Sequence, residues 1–127
     1  MILAVYGKLE KLVLQEFADI IVSTSIISSA TGRARKLRLN LFDETYIDIW
    51  LSGGREYSFH WERTAVGGKL FRHDNAPHDK WKKIKTFPKH FHNGSNNRVI
   101  ESYINSNPFK GVKEFLAFAR KLLIKQT

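Results

Sequence analysis

Hydrophobic and polar positions alternate along this chain with two different periods. Leu9, Leu12, Val13 and Phe17, continued by Ile20, recur at near-helical spacing and predict a helix over 8–19. Residues 20–29 are β-branched and serine-rich, which favours a strand. Leu37, Leu39 and Leu41 then alternate with Arg38 and Asn40, and after the polar Asp43–Glu44 break Ile47, Ile49 and Leu51 alternate with Tyr46, Asp48 and Trp50. Two such runs around a short break predict a hairpin. Past Ser52-Gly53-Gly54, Tyr57, Phe59 and Trp61 form one face of a strand, and Ser58, His60 and Glu62 the other. Gly67-Gly68 marks the next turn, before Lys69–Arg72. The aromatic face of 57–61 is expected in the core rather than as a base-stacking platform.

Residues 74–97, with Pro77, Pro88 and Gly94, keep no sustained period and are expected to form a long irregular loop, anchored by Trp81, Phe87 and Phe91. The last element is an amphipathic helix. Asn107 suits its N-cap and Pro108 its first position. Val112, Phe115, Leu116, Ala119, Leu122 and Leu123 form one stripe, with Lys110, Lys113, Arg120, Lys121 and Lys125 largely off it. Together these elements predict one α+β domain over residues 1–127. It is an antiparallel meander of about five to six strands, with an N-terminal helix and a C-terminal helix packed on the sheet.

A chain of 127 residues has the size of one domain and needs neither metal nor disulfide to bury a core. Without cysteine there is no disulfide, zinc–thiolate site or thiol nucleophile. No apolar run reaches the ~18–20 residues of a membrane span, and no leader pattern opens the chain, so a cytoplasmic location away from membranes is expected. Charge changes the picture more. The net charge is +9, and its excess is concentrated late in the chain. Residues 63–92 carry eight basic and two acidic residues, and all five histidines lie within 60–92. Basic surface attracts polyanions through phosphate contacts and counterion release, so RNA is the expected partner. Lys80, Lys82, Lys83, Lys85 and Lys89 are the candidate nucleic-acid contacts.

A turn centred near Val66 pairs His60 with Arg72 and Ser58 with Asp74, placing His60, Arg72 and Asp74 on one sheet face. A one-residue slip would bring His73 there instead. Metal-independent RNA cleavage needs a base for the 2′-hydroxyl, an acid for the leaving oxygen and a cation for the phosphoryl charge. Histidine suits the first two tasks and arginine the third. His60 with one of His78, His90 or His92 would share acid and base duty, Arg72 would bind phosphate and Asp74 would orient a histidine. These side chains are expected to converge on one solvent-open cleft, with no cofactor. Two other readings stay open. His90, His92, His78 and Asp74 could instead ligate the metal of a hydrolase. The basic loop could also bind nucleic acid without catalysis, while Asp74-Asn75-Ala76-Pro77 serves only as a turn.

Three segments carry a resemblance: Tyr57-Ser58-Phe59-His60-Trp61, Gly67-Gly68-Lys69-Leu70-Phe71-Arg72-His73-Asp74-Asn75-Ala76-Pro77-His78, and Thr86-Phe87-Pro88-Lys89-His90-Phe91-His92. In this order they resemble the TumE-like family of small prokaryotic proteins, over most of the chain. The resemblance implies the toxin half of a toxin–antitoxin pair, beside a helix-turn-helix antitoxin, and leaves a homo-oligomer open. His60, Arg72, Asp74, Asn75, Pro77, His78, Pro88, His90 and His92 match its pattern.

Overall fold

In the computed structural model, which describes residues 2–126, the alternating runs pair into one antiparallel sheet whose spatial order follows the chain. The strands are β1 (Ile21–Ser28), β2 (Ala34–Leu41), β3 (Tyr46–Leu51), β4 (Tyr57–Arg63), β5 (Lys69–Asp74), β6 (His90–Gly94) and β7 (Val99–Glu101). Helix α1 (Ile2–Glu16) precedes them, a single turn α2 (Thr64–Gly67) joins β4 to β5, and α3 (Pro108–Gln126) closes the chain. The α+β meander with a helix at each end is therefore as expected.

The seven strands exceed the five or six expected. One added strand, β6, lies inside the segment read as an irregular loop, and β7 follows just after it. His90–Gly94 holds one strong apolar residue, Phe91, between two histidines, so its alternation is faint. Its strand form comes from pairing with β5, Asp74 to His90 and Arg72 to His92. The first helix also starts earlier than residue 8. Ile2, Val5 and Tyr6 extend the stripe of Leu9 and Val13 backwards, and the helix stops before Phe17.

One face of the sheet is the core. Leu37, Leu39, Ile47, Ile49, Phe59, Trp61 and Phe71 point from it into Tyr6, Leu9 and Val13 of α1 and Val112, Phe115, Leu116 and Ala119 of α3. Burying one such side chain is worth about 1.5–3 kcal/mol, so this layer dominates the fold's stability. Asn107 caps α3 as expected, its Oδ1 accepting from the Phe109 and Lys110 amides at 3.0 and 3.2 Å. Among the described residues neither α1 nor α3 covers the opposite face of the sheet. Strand periodicity loads it with Lys36, Arg38, Asp48, His60, Arg72, Asp74, His90 and His92.

Candidate functional site

The register of β4 against β5 sets the site. Ser58 pairs with Asp74 and His60 with Arg72, so the turn centred near Val66 was the correct reading. α2 fills that turn and ends on Gly68 at φ 68°, a left-handed conformation that glycine takes without strain. His73 accordingly faces the core. It stacks on Phe91 with ring centroids 4.0 Å apart, and its Nδ1 lies 2.7 Å from Ser102 Oγ. Burial, helped by the nearby Lys89 charge, pushes the His73 pKa down to about 4.

Arg72 is the hub of the polar face. Its Nε donates to Asp74 Oδ2 at 3.1 Å, Nη1 reaches His60 Nδ1 at 3.4 Å, and Nη2 reaches His92 Nε2 at 3.2 Å and Asn96 Oδ1 at 3.3 Å. A guanidinium has donors only, so each imidazole nitrogen facing it is an acceptor. That assigns both tautomers. His60 carries its hydrogen on Nε2 and donates it to Glu62 Oε1 at 3.0 Å. His92 carries its hydrogen on Nδ1 and donates it to the Asn96 carbonyl at 3.1 Å. Burial, with the adjacent Arg72 charge, lowers the His92 pKa and keeps it neutral.

The histidine that lies against Asp74 is His90. Its Nε2 lies 3.1 Å from Asp74 Oδ1, while its Nδ1 lies 2.9 Å from the Pro88 carbonyl. Asp74 Oδ1 also accepts the Ala76 amide at 3.0 Å, as the turn reading expected. Asn75 departs from that reading, because it bonds across the fold, to the Tyr57 amide and the Arg55 carbonyl.

His60, Arg72, Asp74, His90 and His92 thus form one connected cluster, but only part of it meets solvent. Asp74, His90 and His92 are 8%, 2% and 4% exposed, whereas His60 and Arg72 open on a cleft of about 370 Å³. Arg35, Lys36, Asp48, Trp50 and Ser58 complete its lining. The open hollow expected for all the histidines is therefore confined to the His60–Arg72 end. His78 stands apart. It is exposed, its Nδ1 accepts the Lys80 amide at 3.4 Å, and among the described residues it bonds to none of the five cluster residues. Cationic charge dominates the cleft wall. Lys36 Nζ and the Arg38 fork both engage Asp48 at 2.8–2.9 Å, and their charges more than offset the burial that would push the Asp48 pKa up.

The lysines of the basic loop divide. Lys80, Lys82, Lys83 and Lys85 are exposed on the segment containing the 3₁₀ turn Asp79–Trp81. Trp81 hangs that segment on β6, 6.2 Å from the His90 ring and 6.0 Å from the His92 ring. Lys89 is committed elsewhere, its Nζ donating to the Ile104 carbonyl.

Glu62, which bonds His60, and the cleft residues Trp50, Arg35 and Lys36 are among those not singled out from the sequence as site residues. Glu62 follows His60 by two on an alternating strand, so the spacing held the signal. Trp50 shares its face with Asp48 by the same rule. Arg35 and Lys36 were hidden by a segment whose net charge is zero, because Asp43, Glu44 and Glu56 lie in turns away from the strand face.

A small α+β protein with a helix-backed sheet and a basic, histidine-bearing open face is the class these features define. The family model described as Toxin TumE matches residues 9–123, and the chain belongs to that family. It is therefore a toxin of the toxin–antitoxin type, and a cognate antitoxin is its partner. No curated protein and no solved structure matches it. No helix among the described residues is long and apolar enough to cross a membrane.

Proposed function

We propose that the protein is a metal-independent endoribonuclease toxin of the cytoplasm, with the His60–Arg72 cleft as its active site. The observation that carries the reading is the acceptor lone pair of His60 Nδ1, held 3.4 Å from Arg72 Nη1 at the open end of the cluster. A phosphate entering the cleft attracts the guanidinium, which trades its long contact with His60 for a charge-assisted bond to a phosphate oxygen. The freed Nδ1 accepts the proton of the adjacent 2′-hydroxyl. The 2′-oxygen then bonds to phosphorus, and the bond to the 5′-oxygen breaks. The leaving oxygen is protonated at the solvent-open mouth, leaving a 2′,3′-cyclic phosphate and a 5′-hydroxyl end. Glu62 holds Nε2–H and stabilises the imidazolium that forms. Arg35 and Lys36 provide cations for flanking phosphates, and half-exposed Trp50 offers a ring for a base.

The exposed lysines of 80–85 extend the basic surface along the loop, where an acidic segment of a helix-turn-helix antitoxin would bind and block it. The reading is tested by incubating the purified chain with end-labelled RNA of mixed sequence in excess chelator. Fragments with cyclic phosphate ends, absent with His60→Gln, are the expected result. RNA left intact, or cut equally well by the variant, overturns it.

A further inference from the structure

The cleavage chemistry leaves Asp74, His90 and His92 unused, although all three are more than nine-tenths buried. One ligand atom from each lies within 4.8 Å of the others. Both histidines donate Nδ1–H to backbone carbonyls, Pro88 for His90 and Asn96 for His92. Both turn Nε2 toward the same carboxylate, at 3.1 Å from Oδ1 and 3.8 Å from Oδ2. Carboxylate oxygens accept and do not donate, so the close contact of His90 Nε2 with Asp74 Oδ1 needs an electrophile between them, either a proton on the imidazole or a metal ion.

We propose that Asp74, His90 and His92 form a binding site for one divalent first-row transition-metal ion, of which zinc is the natural probe. The donor set is the two-imidazole, one-carboxylate type that such ions favour. The backbone carbonyls on Nδ1 are the outer partners that fix tautomer and ring direction in metal sites. The distances also suit it. Zinc bonds of about 2.0–2.1 Å in tetrahedral geometry place ligand atoms about 3.3 Å apart. The two histidine–carboxylate separations, to different oxygens, bracket that value, and one ligand atom from each residue lies within 4.8 Å of the others, so the side chains draw together on binding. β5 and β6 supply all three ligands from paired strands, Asp74 directly opposite His90, so the scaffold under them is rigid.

Arg72 competes for this site. Its Nη2 lies on His92 Nε2 and its Nε on Asp74 Oδ2, two of the atoms a metal would take. Metal and guanidinium repel each other, so binding releases Arg72 from its inner contacts and turns it toward the cleft. The site lies behind the His60–Arg72 cleft, and the inference does not rest on the RNA-cleaving reading.

The test titrates the whole chain, stripped of metal, with zinc against a chromophoric chelator, and with cobalt followed by visible absorption. One ion per chain is expected, with a rise in thermal midpoint. His92→Gln and Asp74→Asn should weaken binding by more than about 100-fold, while His60→Gln leaves it unchanged. Arg72→Gln should tighten binding about tenfold, a gain that misfolding cannot produce. Absence of stoichiometric binding overturns the proposal. So do ligand variants that bind like the native chain, or weakened binding in Arg72→Gln. RNA cleavage in chelator is scored separately, so either idea can fail alone.

Discussion

Arg72 faces His60 across the β4–β5 pair as donor to acceptor, Nη1 to Nδ1 at 3.4 Å. The contact is long and at the edge of solvent, whereas the inner contacts of Arg72 to Asp74 and His92 are shorter and buried. The guanidinium is thus anchored from behind and loosely engaged in front. An incoming phosphate needs to displace only the weaker partner.

His60→Gln keeps a hydrogen-bonding side chain but has no titratable base. The expected loss in single-turnover RNA cleavage is about 10²–10⁴-fold. His60 is only half-buried, so the thermal midpoint should stay within a few degrees. Glu62 is a positioning residue acting through His60 Nε2. Glu62→Gln removes the carboxylate that stabilises the imidazolium, so it should lower the single-turnover rate at saturating RNA while leaving RNA affinity within about twofold. A loss of affinity that matches the loss of rate, with a fallen thermal midpoint, would assign Glu62 a purely structural part.

Lys82 and Lys83 are solvated and distant in sequence from the cleft strands, so they should act on binding rather than on the chemical step. With Lys82 and Lys83 both changed to Ala, the salt slope of log K for single-stranded RNA should shallow by about 1.4, at about 0.7 per phosphate contact. The maximal cleavage rate at saturating RNA should be unchanged. A slope equal to that of the native chain removes these lysines from the RNA path.

Gly111 lies where α3 crosses β4. A Cβ there would meet Phe59 Cε2 at 2.9 Å and collide with the Asn105 backbone carbonyl. Alanine gains about 1 kcal/mol of helix propensity over glycine. Overpacking against a backbone carbonyl and a fully buried ring costs about 1–3 kcal/mol or more, and the ring cannot yield because it sits in the core. The backbone carbonyl cannot yield either, which puts the cost at the upper end, a net loss of up to about 2 kcal/mol, so Gly111→Ala should lower the thermal midpoint by several degrees, read by calorimetry.

Asp48 gives the fold an acid dependence of defined sign. Burial alone would raise its pKa, but Arg38 and Lys36 hold it below the ordinary value of 3.8. A group with a depressed folded pKa stabilises the protein above its unfolded pKa, and that contribution fades as pH falls through the folded value. Asp48→Asn should be less stable than the native chain at neutral pH. The gap should close as the denaturation midpoints are followed below about pH 4.

Much of this arrangement was readable from side-chain types alone. Tyr57, Phe59 and Trp61 alternate so strongly with Ser58, His60 and Glu62 that the core face and the polar face of that strand were both evident, but the turn left two registers open, with Arg72 or His73 beside His60, and only the strand pairing chose Arg72. The α3 stripe was equally plain, because six apolar positions and a capped start agree. β6 was not readable, since a strand made of His90, Phe91 and His92 declares itself only once Asp74 and Arg72 are beside it. For the same reason the division of the histidines into a sealed pair and an open one could not be foreseen. It depends on Trp81 folding back over β6, a contact with no local signature. Arg35 and Lys36 were missed because net charge along a segment ignores which way strand side chains point.

The most direct test of RNA cleavage at the His60–Arg72 cleft uses a short RNA carrying a single 2′-deoxynucleotide at a mapped cutting position. The account predicts binding within about twofold of the all-ribose oligonucleotide, because phosphates provide the contacts, together with complete protection at that one linkage. Cutting at the deoxy position at an undiminished rate would contradict it, since no 2′-oxygen would be there to attack.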